Sequence, residues 1–188
     1  MEKRVMYAFI NPPDTAINAL FEGLFEHAKL DILTPHIIRF KYAPETYDEP
    51  IDFLTFYQLI KTDFDVKISL LDMSQSNQDY MDVHSIVKHL QTLPYRSYEF
   101  TDFISVLQHK HPETLLPMKT HIIKRLGQEL IDTLLAFADA NMNASIAAKN
   151  LYLHRNSLNY RLDKINEITG LDIRQFNALS ILYCWFKN

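Results

Sequence analysis

The chain has 188 residues, 47% of them hydrophobic, 12% aromatic and 22% charged, a globular composition that excludes disorder, collagen and low complexity. No apolar stretch approaches the roughly 18 residues of a membrane span, and Pro12-Pro13 interrupt the first apolar run before a signal-peptide core forms, so a soluble, cytoplasmic protein without a membrane partner is expected. The net charge of −4 argues against nucleic acid, but residues 141–188 carry six Lys/Arg against three Asp/Glu, leaving an acidic body with a basic end.

In chain order, Arg4–Ile10, His36–Tyr42 and Val66–Leu71 are short, β-branched and aromatic-rich runs that predict strands. Between them Ile17, Leu20, Phe21, Leu24 and Phe25 share a helical face behind Asp14, a predicted N-cap. Ile51, Leu54, Phe56, Tyr57 and Ile60 predict a second helix after Pro50. A polar loop is expected over 74–78, then helices over Val83–Leu90 and Thr101–Gln108. Asp63, Asp65 and Asp72 read as solvated turn residues. Pro112 and Pro117 mark the expected joint, dividing an α+β N-terminal part (1–112), a sensor or dimerisation domain, from an all-α helix-turn-helix C-terminal domain (113–188).

Beyond the joint the pattern is purely helical. Glu129–Ala140 is followed by a polar break at Asn141-Met142-Asn143, a short helix over Ser145–Asn150, a turn over Leu151–His154 and a longer helix over Arg155–Thr169 that stops at Gly170. The motif thus spans about 144–169. A short helix, a tight turn and a second helix with a polar outer face describe a helix-turn-helix. Ala147 and Ala148 suit it, because small side chains on the first helix let the second approach.

Projected at about 3.6 residues per turn, Leu158, Leu162 and Ile165 form one apolar seam. Asn156, Ser157, Tyr160 and Lys164 lie on the far side, and Arg155 and Arg161 flank the seam. Asn and Ser read base edges in the major groove, whereas Arg155, Arg161 and Lys164 supply charge for phosphates. Asn143 and His154 are expected first as helix caps.

The run from Asn143 through His154-Arg155-Asn156-Ser157-Leu158 to Tyr160-Arg161-Leu162, followed by Ile165-Asn166-Glu167-Ile168-Thr169-Gly170-Leu171, closely resembles the C-terminal helix-turn-helix of PucR-like and sugar-diacid-regulator (CdaR-like) transcription factors. Leu130, Thr133, Leu134 and Phe137 resemble the family's lead-in helix. The resemblance covers about residues 129–186. It departs at Ala147, where the family often has Thr, and at Asn159, where it often has Arg, which removes one cation. It implies a transcriptional regulator that binds double-stranded DNA through residues 155–168. With the helix projection, Arg155, Asn156, Ser157, Asn159, Tyr160, Arg161, Lys164, Asn143 and His154 are expected at the DNA. A single helix-turn-helix makes limited base contact, so a homodimer on paired half-sites is expected, with residues 1–112 sensing a small-molecule effector or driving dimerisation.

No catalytic residues are expected. Residues 1–112 hold no nucleophile–base pair, paired carboxylates or phosphate loop. The three glycines, Gly23, Gly127 and Gly170, stand too far apart for nucleotide-binding loops. The alternatives are an adaptor whose helical face binds a protein, or a small-molecule-binding protein or enzyme in 1–112. A single cysteine excludes a disulfide framework and a multi-thiolate zinc site; in an apolar helix, Cys184 reads as inert packing. Of the eight histidines, His84 and His89 are off-phase for one helical face and His109 and His111 flank an exposed joint, so no metal is expected.

Overall fold

The computed structural model describes residues 4–25, 27–43, 52–74 and 80–187; Ile51 and all but the first residue of the expected polar loop lie outside them. Two compact units, Met1–Phe103 and Ile104–Asn188, divide the chain within a helix, upstream of the joint expected at Pro112.

The first unit is a five-stranded sheet of β1 (Arg4–Asn11), β2 (Lys29–Thr34), β3 (Ile37–Tyr42), β4 (Lys67–Ser74) and β5 (Ser97–Glu99), ordered β2-β3-β1-β4-β5. All neighbours are antiparallel except β4 and β5, which run parallel. Helices α1 (Thr15–Leu24), α2 (Phe53–Asp63) and α3 (Val83–Leu90) connect strands, and α4 (Phe100–Lys110) follows β5. Central β1 is buried from Val5 to Ile10, which is why its sequence is continuously apolar rather than alternating. On one face Met6, Ala8, Ile10, Ile38, Phe40, Ile68 and Leu70 pack with Ile17, Phe21 and Phe25 and with Phe56, Tyr57 and Ile60. Phe21 centres this layer, its ring 4.3 Å from Phe40 and 4.8 Å from Phe56.

Sequence periodicity missed β2 and β5. β2 is a half-exposed edge strand, with Ile32 59% exposed, and β5 has only three residues, so neither carries a core-facing repeat. Asp72 is not a solvated turn residue. It lies within β4, accepts from Arg4 at 2.7 Å and from the Tyr42 hydroxyl at 3.1 Å, and so ties three adjacent strands. Burial together with the Asp72 carboxylate pushes the Tyr42 phenol above its ordinary pKa.

Asp14, Asp52 and Asp82 each cap a helix by accepting a backbone N–H, from Ala16 at 2.7 Å, Leu54 at 3.0 Å and Ser85 at 2.9 Å. Bonds from the Thr55 hydroxyl and backbone hold Asp52 below the usual carboxylate range, and the Ser85 backbone and hydroxyl do the same for Asp82.

The second unit continues from α4 through a 3-10 turn (Pro112–Leu115) into α5 (Leu116–Asp139), α6 (Ala144–Asn150), α7 (Arg155–Thr169) and α8 (Phe176–Phe186). α5 is broken at Gly127, where φ is 68° and ψ 166°, a conformation essentially confined to glycine. α7 ends at Gly170 in the left-handed region, with φ 67°. Among the described residues no helix is long and apolar enough to cross a membrane.

Two outcomes follow from these local geometries. Open space surrounds a Cβ built on Gly127, so Gly127→Ala is opposed by backbone conformation alone and lowers stability by about 1–3 kcal/mol, measured by urea unfolding. Because the folded pKa values of Asp52 and Asp82 are depressed, their stabilisation is complete above the ordinary carboxylate value of about 3.9 and is lost as pH falls through the folded values. Asp52→Ala and Asp82→Ala should therefore each flatten the acid limb of a stability–pH curve.

Candidate nucleic-acid interface

The C-terminal unit is assembled around one apolar seam. Leu158, Leu162 and Ile165 on α7 are buried, as are Thr133, Leu134 and Phe137 on α5. Ala147 and Ala148 are buried on α6, where their small side chains admit close approach. Ala178, Ile181, Leu182 and Trp185 of α8 complete the core. Cys184, by contrast, is exposed: it falls on the outer side of α8, so the expectation of inert packing is corrected.

The helix ends are set by short-range hydrogen bonds. The Asn143 side chain accepts from Ser145 N at 3.0 Å and Ile146 N at 3.1 Å, capping α6. His154 caps α7, its Nδ1 accepting from Asn156 N at 3.3 Å, which requires that nitrogen to be unprotonated. α5 closes with Met142 N donating to Phe137 O at 2.9 Å and Asn141 N to Ala138 O at 2.9 Å. α6 closes in the same way, with Leu153 N donating to Ala148 O at 2.8 Å and Tyr152 N to Lys149 O at 3.1 Å. Both are Schellman closures, with Asn141 and Tyr152 in the left-handed position at φ 50° and 55°.

This framework leaves the first turn of α7 outward. Arg155, Asn156 and Ser157 are exposed, Tyr160 is 63% exposed, and Asn159 is half-buried with its carbonyl accepting from Arg174 at 3.4 Å. Asn143 and His154, although exposed, use their side chains as caps.

The cations divide sharply. Arg161 turns away from the outer face onto α5, donating to Thr133 Oγ1 at 3.3 Å and pairing with the Glu129 carboxylate. Lys164 pairs with Glu167, whose carboxylate raises the lysine pKa above its ordinary value. Arg174 is held by Asp163 at 2.7 Å, and Lys187 by Asp139 at 3.1 Å. Two of the three cations expected to meet phosphates, Arg161 and Lys164, are thus balanced within the fold. Within residues 141–188, exposed Lys149 and Arg155 are the cations without an ion pair among the described residues.

Lys149 was not among the expected contacts, although the sequence charge count already contained it. Deciding which cations stay unpaired required the tertiary positions of Glu129 and Asp163. An open groove of about 570 Å³ runs beside the outer face, between Leu126, Glu129 and Leu130 of α5 and Asn156, Ser157, Tyr160 and Lys164 of α7. An exposed polar helix packed on three supporting helices, with Lys149 and Arg155 unpaired beside it, is chemically fitted to a polyanion whose base edges present donors and acceptors.

Enlarging Ala147 tests the support. Ala147→Leu should drive α6 away from its neighbours and destabilise by about 1–3 kcal/mol, read as a lower unfolding midpoint.

Residues 130–187 match the model of the PucR C-terminal helix-turn-helix domain. Among curated proteins, the chain is 39% identical over 71 residues to the uncharacterized protein YxkF of Bacillus subtilis (strain 168), covering 38% of this chain and 24% of that protein. It is 43% identical over 51 residues to the carbohydrate diacid regulator of Escherichia coli (strain K12), covering 27% of this chain and 13% of the regulator. It is 38% identical over 55 residues to the proline-responsive transcriptional activator PutR of Bacillus subtilis (strain 168), covering 29% of this chain and 13% of the activator. The matches therefore span a quarter or less of these relatives' own lengths. Residues 130–187, with α6 and α7 as the helix pair, are a PucR-type helix-turn-helix domain.

Proposed function

We propose that this chain is a sequence-specific DNA-binding transcriptional regulator that enters the major groove with the first turns of α7. The observation that carries this reading is the exposed Arg155-Asn156-Ser157 turn, held out from a buried seam within a PucR-type domain. Asn156 and Ser157 are the base readers, because an Asn amide pairs with adenine through two hydrogen bonds and a Ser hydroxyl bonds to several base edges. Tyr160, one turn further on, extends the reading face. Lys149 and Arg155 take the phosphates on either side of the inter-helix turn. Arg161 and Lys164, already paired, hold the helix and balance local acid charge. Asn143, His154 and Asn159 shape the interface through caps and packing.

One helix reads few base pairs, so two copies act on half-sites about one helical turn, ~34 Å, apart. The α+β unit, residues 1–103, supplies dimerisation or effector sensing.

Fluorescence anisotropy with duplex DNA across a salt series tests the reading. Lys149→Ala and Arg155→Ala should each weaken binding to all sequences and reduce the slope of log K against log salt by about 0.9. Asn156→Ala should relax choice at one base position by about 1–3 kcal/mol and leave the slope intact. A wild-type protein with no salt-dependent affinity for any duplex would refute the proposal.

A further inference from the structure

The most exposed large hydrophobic side chain in the C-terminal unit is Tyr152, at 97%. It stands in the turn between α6 and α7 and closes α6 in the left-handed conformation, with φ 55°. For a residue with a Cβ that conformation is unfavourable, and glycine is the usual occupant. An exposed aromatic ring gains no burial in return, and the phenol makes no hydrogen bond among the described residues. Three residues away along the chain in each direction stand Lys149 and Arg155, the two cations of residues 141–188 without an ion pair among the described residues.

A side chain that opposes its own backbone conformation, and that the folded chain does not use, indicates a role outside the fold. From this juxtaposition we infer that Tyr152 is a DNA-backbone contact, its phenolic hydroxyl donating a hydrogen bond to a phosphate oxygen between those neutralised by Lys149 and Arg155. Tyrosine hydroxyls are ordinary phosphate donors, and the turn of a helix-turn-helix runs close to the strand that the first helix crosses. The contact adds a neutral donor to two cations, so it sets register on the duplex without releasing a counterion. The inference rests on the DNA-binding reading above.

The experiment uses the full chain, a mixed-sequence DNA duplex, and the variants Tyr152→Phe, Tyr152→Gly and Arg155→Ala. Tyr152→Phe keeps the ring and removes only the hydroxyl. It should lower affinity about tenfold, equally across sequences, with the salt slope unchanged. Tyr152→Gly relieves the left-handed strain and should raise the unfolding midpoint by about 2–4 °C while losing at least as much affinity. Stability and binding then move in opposite directions, an outcome that a purely structural tyrosine does not produce.

Wild-type affinity in both Tyr152 variants, or a lower midpoint for Tyr152→Gly, would overturn the inference. If Arg155→Ala still weakens binding in that case, the DNA reading stands and the tyrosine contact alone has failed. If the wild-type protein binds no duplex, both fail together.

Discussion

Burial of Leu158, Leu162 and Ile165 against α5 and α6 is the constraint on which the C-terminal unit depends. A helix with only one apolar stripe has a single rotational setting in which that stripe leaves water. Once Ala147 and Ala148 let α6 close in, the setting of α7 follows, and Arg155, Asn156, Ser157 and Tyr160 face outward. The caps at Asn143 and His154 set where the two helices begin, so the outward residues fall in the first turns of α7 rather than along its whole length.

Electrostatics act on top of this packing. The basic surplus of the C-terminal end is only partly available to a partner, because carboxylates on α5 and along α7 already hold Arg161, Lys164 and Arg174. The Arg161 link is also a mechanical one. Its guanidinium reaches Glu129 and Thr133, while the Thr133 hydroxyl donates to the Glu129 carbonyl at 2.8 Å, so one small network joins α7 to the start of the lead-in helix. Within residues 141–188, the positive charge left unpaired among the described residues, Lys149 and Arg155, flanks the α6–α7 turn. A uniformly basic helix would attract any polyanion. Here the charge sits beside the amide and hydroxyl that discriminate bases, so attraction and reading are brought to the same place.

The α+β unit follows different rules. Its centre, β1, is hydrogen-bonded on both edges and buried on both faces, so an uninterrupted apolar run marked it. Periphery was harder to see. β2 alternates weakly because its edge position leaves it half in solvent, and β5 is too short to show any period. Asp72 looked like a turn residue, since nothing local distinguishes a solvated aspartate from one that meets an arginine sixty-eight positions away.

Local and periodic features were settled by the chain itself. The helix-turn-helix boundaries, the caps at Asp14 and Asn143, the Gly170 stop and the Leu158–Leu162–Ile165 seam all follow from residues within a few positions of one another. Such features depend on backbone preference and 3.6-residue spacing, which are written in sequence order. Tertiary structure alone decided which cations remain free, that Cys184 faces solvent, and that Tyr152 stands uncovered beside Lys149 and Arg155. Those outcomes turn on where distant carboxylates and apolar surfaces arrive once the helices pack, and a pairing energy that falls with distance in space has no counterpart in distance along the chain.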